Sequence, residues 1–155
     1  MSSLEARIQA IEDRLALESV LDRYCNAVDS LSDMAALLSC FTPDAVYDLG
    51  GIGLQQFHGH EGIKGFFSQV FADMTHHAHL STNFVIERLE GDAAAAHAYI
   101  IGMGIARDGK HIHVYVKYML NFRRTSDGWK IDHYRMAAMM PMSSTLTEVH
   151  AKSKA

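Results

Sequence analysis

The stretch His111-Ile112-His113-Val114-Tyr115-Val116-Lys117-Tyr118-Met119-Leu120-Asn121-Phe122-Arg123 carries the cleanest two-residue period in the chain. Ile112, Val114, Val116, Tyr118, Leu120 and Phe122 fall on one side; His111, His113, Tyr115, Lys117, Asn121 and Arg123 fall on the other. Side chains alternate along a strand, so the first set faces a core and the second faces solvent or another subunit. Three more strand-like stretches flank it, giving strands over residues 79–89, 93–106, 111–123 and 129–138. Between them lie Glu90-Gly91-Asp92, Arg107-Asp108-Gly109-Lys110 and Thr125-Ser126-Asp127-Gly128. Each sets Gly beside Asp, residues that tolerate positive φ, which is a hairpin signal. The second half of the chain is therefore an antiparallel meander.

Upstream the period changes. Leu4, Ile8, Ile11, Leu15, Leu21, Tyr24 and Val28 recur at three or four residues with one gap, which predicts a helix over 4–28. Glu12, Asp13, Arg14, Asp22 and Arg23 fall mostly on its other face. A short helix fits 32–40 and ends at Phe41-Thr42-Pro43. Residues 45–49 read as a short strand, 51–59 as a glycine-rich irregular connection, and a third helix runs from His60 to about Asp73. Three helices and one early strand followed by a meander make an α+β architecture. A curved, mostly antiparallel sheet wrapped around the N-terminal helices gives a cone-like barrel with an internal pocket, a usual place for one small ligand. Residues 1–142 form this single domain. The polar tail, 143–155, is either disordered or folded over the pocket mouth.

Composition narrows the partners. The chain has 155 residues, 48% hydrophobic and 21% charged, with a net charge of −4, which suits one ordinary globular domain. It has no basic stripe, so no nucleic acid is expected, and no apolar run long enough to span a membrane. The N-terminus lacks a signal peptide's apolar stretch, and the two cysteines, Cys25 and Cys40, have no metal-type spacing, so a cytoplasmic protein with reduced thiols is expected. Ten histidines are many, but they are scattered. His111 and His113 share a strand face as a metal pair would, yet no third ligand is evident. No metal and no cofactor are expected.

Two residues carry the chemistry. Asp29 ends the first helix in Tyr24-Cys25-Asn26-Ala27-Val28-Asp29; His79 lies in His76-His77-Ala78-His79-Leu80-Ser81-Thr82-Asn83. Brought together, Asp29 orients His79 and stabilises its charged form, which equips a cofactor-free general base. The alternative is a helix-end cap and a pocket histidine that only hydrogen-bonds. Tyr24 and Tyr47 are candidate donors to a carbonyl or leaving hydroxyl. Asn83, Tyr118, Trp129, His133 and Arg135 are candidate substrate contacts, the last as an anchor for an anionic group if its strand face points inward. His76 and His77, which precede the strand, are expected on the surface, with the pocket rim as the alternative. Gly102 and Gly104 leave little bulk on one strand face, for curvature or for close approach of a ligand or subunit.

Taken together, the chain resembles the SnoaL-like members of the nuclear-transport-factor-like superfamily over roughly residues 10–138. The resemblance rests on the helix ending in Tyr24 and Asp29, on Phe41-Thr42-Pro43-Asp44-Ala45-Val46-Tyr47, on Gly59-His60-Glu61-Gly62-Ile63, on His79 four residues before Asn83, and on Asp127-Gly128-Trp129-Lys130-Ile131. The nearest patterns are scytalone dehydratase, a bile-acid dehydratase and hexachlorocyclohexane dehydrochlorinase. That likeness implies an Asp29–His79 dyad assisted by Tyr24 and Tyr47. A second catalytic histidine of scytalone dehydratase falls on Ala98 here, with His97 one residue off and facing away. The implied activity is a cofactor-independent lyase, dehydratase-like, acting on a small hydrophobic, polycyclic or aromatic molecule. The alternatives are an isomerase of the ketosteroid-isomerase or polyketide-cyclase kind, or a non-catalytic binder resembling a dioxygenase small subunit. A homodimer or higher homo-oligomer is expected through the outer sheet face.

Overall fold

In the computed structural model, which describes residues 3–151, the alternating stretch becomes the long strand β5 (His111–Thr125). Its buried side chains are those expected, Ile112 through Phe122 at every second residue. Around it lie α1 (Leu4–Asp29), α2 (Met34–Ser39), β1 (Phe41–Asp48), a 3-10 turn (Gly50–Ile52), β2 (Gln56–His58), α3 (Gly59–Asp73), β3 (Met74–Glu90), β4 (Ala93–Ala106), β6 (Gly128–Ala138) and α4 (Thr145–His150). One curved six-stranded sheet runs in the order β2-β1-β6-β5-β4-β3 and stays open. All neighbours are antiparallel except β1 and β6, which are parallel. The architecture is α+β, with the helices on the concave face.

Local differences from the expected elements have physical reasons. The strand expected at 45–49 starts earlier, at Phe41, because pairing of Phe41 with Ile131 and of Val46 with His133 straddles an irregularity around Pro43. Proline lacks a ladder donor and is tolerated at such a break. The connection expected to be irregular contains the 3-10 turn and β2. Within the tail, Thr145–His150 is helical, with Leu146 and Val149 buried.

The first helix needs the largest correction. Leu4, Ile8, Ile11 and Leu15, read as part of its core stripe, are exposed. The buried face begins at Asp13 and continues through Leu17, Val20, Leu21, Tyr24 and Val28. Asp13, expected on the polar side, is buried because Trp129 Nε1 donates to Oδ1 at 3.0 Å and Arg124 donates to Oδ2 at 2.8 Å. Buried carboxylates persist only with such partners. Arg124 also lies over the Trp129 ring at 4.3 Å, a cation–π contact.

Candidate active site

Asp29 is the last residue of α1, and its carboxylate clamps His79 on β3 twice. His79 Nδ1 lies 2.5 Å from Oδ1, and the His79 backbone N–H donates to Oδ2 at 2.9 Å. A carboxylate at a helix C-terminus opposes the helix dipole, so it needs local donors. Burial pushes the Asp29 carboxyl up, but the hydrogen bonds and charge of His79 outweigh burial and hold it below its usual value. In the neutral ring, giving Nδ1–H to the carboxylate leaves the imidazole lone pair on Nε2. That edge of the ring lies over Gly102: a Cβ there would sit 3.5 Å from Cδ2 and 3.6 Å from Nε2. That is ordinary packing distance; the tight neighbour of a Cβ there would be Val114 Cγ2 at 3.0 Å.

His79 faces a half-open apolar cavity of about 80 Å³ between the sheet, α1, α3 and α4. Aromatic walls come from Tyr24, Tyr47, Phe66, Phe67 and Tyr118, and aliphatic ones from residues such as Val28, Ile52 and Val114. Tyr24 and Tyr47 hydroxyls lie 2.6 Å apart. One donates to the other, so one phenolic O–H of the pair remains to donate elsewhere. Tyr134 stacks behind Tyr47 at a centroid distance of 4.3 Å and fixes its ring. Burial pushes Tyr24, Tyr47 and Tyr118 well above the usual phenol range, so all three stay protonated donors at neutral pH.

Of the residues expected from sequence, His79, Asp29, Tyr24, Tyr47 and Tyr118 come together here. Four others do not. Asn83 sits in a bulge of β3 with φ 54° and is exposed, its side chain accepting from Thr82. Trp129 is buried but spends its N–H on Asp13, away from the cavity. His133 and Arg135 fail for one reason: a bulge at Asp132. Phe122 pairs with Ile131 but Asn121 pairs with His133, so one residue is extra and the alternation changes phase. Trp129 and Ile131 point inward before it and Tyr134 after it, while His133 is half-buried with Arg135 left exposed. His97 bonds Glu87 at 2.7 Å, and Ala98 is the buried neighbour.

Two more histidines line the cavity. His77, for which the surface is the first expectation and the pocket rim the alternative, lies at the cavity wall with its ring 5.6 Å from that of His79 and perpendicular to it. It is two residues before His79, so the strand period alone places both on one face. His150, on α4, closes another side beside Leu146. Its only sequence signal is the spacing of Leu146, Val149 and His150 at helical intervals. Burial and the neighbouring imidazoles hold His77 down at about 4; burial holds His150 at about 4 as well. Nδ1 of each is buried without a hydrogen-bond partner. Gly104 makes room for His77, since a Cβ there would meet its Cδ2 at 2.7 Å and Met74 Cε at 2.5 Å.

Among the described residues no three His, Cys, Asp or Glu side chains converge to hold a metal, and no helix is long and apolar enough to cross a membrane. No curated protein sequence matches the chain. Among solved structures, a provisionally assigned aromatic ring hydroxylase from Novosphingobium aromaticivorans is 50% identical, with a TM-score of 0.85, covering 86% of this chain and 93% of that one. A provisionally assigned scytalone dehydratase from the same species is 15% identical with a TM-score of 0.78, covering 87% and 89%. A hexachlorocyclohexane dehydrochlorinase from Novosphingobium barchaimii is 18% identical with a TM-score of 0.76, covering 86% and 91%. The last two show a shared fold. The SnoaL-like domain pattern matches residues 9–135, most of the chain, and the protein belongs to that family.

Proposed function

We propose that the protein is a cofactor-independent lyase that dehydrates a small, flat, hydrophobic molecule carrying a carbonyl and a β-hydroxyl. The observation that carries this reading is the double clamp of Asp29 on His79, which leaves Nε2 at the wall of an apolar cavity. In the proposed step Nε2 takes a proton from the carbon next to the carbonyl. The released electron pair forms the new C=C bond. The β-hydroxyl departs as water, taking its proton from the imidazolium, and Nε2 is free again. The O–H left over in the Tyr24–Tyr47 pair holds the carbonyl oxygen as charge develops there. The aromatic walls fit a ring substrate. With the same base and no leaving group the outcome is isomerisation. The reading includes a cytoplasmic homo-oligomer.

A second reading has one observation in its favour, the 50% identity to a protein assigned as an aromatic ring hydroxylase. Under it the chain binds an aromatic ring as an accessory subunit and a partner carries the oxidant. Both readings place a ring compound in the cavity; they differ over whether His79 moves a proton.

Exchange of the α-hydrogens of a bicyclic ketone such as 2-tetralone in D2O separates them. The lyase reading expects wild-type protein to accelerate deuterium uptake and His79→Gln to lose about 10²-fold or more, the usual share of a general base. Equal rates for wild type, variant and buffer would leave a binder.

A further inference from the structure

Leu4, Ile8, Ile11 and Leu15 form an apolar stripe on α1 that touches none of the core: they are 64%, 47%, 60% and 60% exposed. At 3.6 residues per turn this stripe lies roughly 150° round the helix from the buried face of Leu17, Leu21, Tyr24 and Val28. The helix therefore has two apolar faces, one spent on the core and one open. The open one is spaced 4-3-4, the seam of a two-stranded coiled coil rather than the broader face of a core helix. The residues flanking the seam are charged and sorted by sign. Glu5 and Glu12 border one side; Arg7 and Arg14 border the other. The seam ends after Leu15, where its next two positions are Glu18 and Asp22.

We infer that this stripe is a docking surface for a second copy of the chain, with the two α1 helices side by side and parallel. Charge complementarity selects both the occupant and the direction. In a parallel pair, Arg7 of one copy meets Glu12 of the other, five residues along, and the two-fold repeats the contact. An antiparallel pair would set Arg beside Arg and Glu beside Glu. Because the stripe faces away from the core, the two domains lie on opposite sides of the helix pair. The acidic positions beyond Leu15 make the helices diverge there. Four side chains per copy make a small interface, so dissociation in the micromolar range is expected. This surface is separate from the outer sheet face and independent of the cavity's chemistry.

Sedimentation equilibrium of the full chain across micromolar concentrations tests it. Wild type should self-associate. Ile8→Glu with Ile11→Glu should halve the mass, weakening association by roughly a hundredfold, about tenfold for each lost contact, with an unchanged far-UV spectrum because both positions are exposed. Arg7→Glu alone should weaken association, and adding Glu12→Arg should restore it, since the swap rebuilds the pair in a parallel arrangement. A monomeric wild type would overturn the proposal. So would a mass unaffected by Ile8→Glu with Ile11→Glu, which would move the assembly to another face. Failure of the charge swap to rescue would overturn the parallel pairing with a second copy.

Discussion

His77 and His79 sit two residues apart on one strand, face one cavity, and are held in opposite ways. His79 has its Nδ1 and its backbone N–H both bound to Asp29, so its ring is oriented and Nε2 is free. His77 lacks a carboxylate partner and has a buried, unpartnered Nδ1; His150 shares that condition across the cavity. The difference teaches which imidazole is built to gain a proton during a reaction. A base must have its charged form supported, and of these three cavity histidines His79 alone has a carboxylate in hydrogen-bond contact. His77 and His150 are held neutral by burial and offer polar contacts to whatever enters.

The sharpest way to break this comparison is to replace the histidines singly. His79→Gln should lower exchange of the ketone probe by about 10²–10⁴-fold, and His77→Gln or His150→Gln by less than about tenfold. Asp29→Asn keeps the shape of the clamp but removes its charge, so a loss of roughly ten- to a hundredfold is expected in the same assay.

Next is the dependence of stability on pH. An unfolded histidine binds its proton near pH 6.5, but His77 and His150 in the fold do so only at about 4. Between these values the unfolded chain takes up protons that the folded chain refuses. Stability therefore falls as pH drops from 6.5 towards 4, by at most about 1.4 kcal/mol per pH unit for each histidine. Asp29 has its carboxyl pKa lowered from 3.8, so its contribution is lost only below that window. Thermal melts at pH 7, 5.5 and 4.5 should show a flatter acid limb for His77→Phe and for His150→Leu.

Two smaller effects sharpen the picture. Gly104→Ala puts a methyl group into His77 and Met74 and should cost about 1–3 kcal/mol in denaturant unfolding. Gly102→Ala, whose nearest neighbour is Val114 at 3.0 Å, should cost less. Trp129→Phe removes one donor from Asp13 and should cost about 1–2 kcal/mol, leaving exchange unchanged because Trp129 is outside the cavity.

How much of this was legible in the sequence depends on range and regularity. The alternation of β5 identified the core face residue by residue, because a strand with a period of two has only two faces. The same rule failed on β6, since the bulge at Asp132 inverts the phase and no residue there announces it; His133 and Arg135 were misplaced for that reason. Asn83 fell to a second bulge, in β3. On α1 a three-to-four spacing ran through two faces that a single stripe cannot represent, and Leu4 to Leu15 were merged with a core they do not touch. The contact of Asp13 with Trp129 is long-range and leaves no local trace. The pairing of Asp29 with His79 came from the resemblance to SnoaL-like proteins, whose order of motifs was specific for the fold. His77 is readable from its place two residues before His79, which puts both on one strand face.

The most direct measurement is ¹⁵N NMR of the His79 ring at neutral pH, in wild type and in Asp29→Asn. The clamp predicts the tautomer with hydrogen on Nδ1 and a bare Nε2 in wild type, and loss of that preference in the variant. A wild-type ring with its hydrogen on Nε2, or a tautomer unmoved by Asp29→Asn, would contradict the general base.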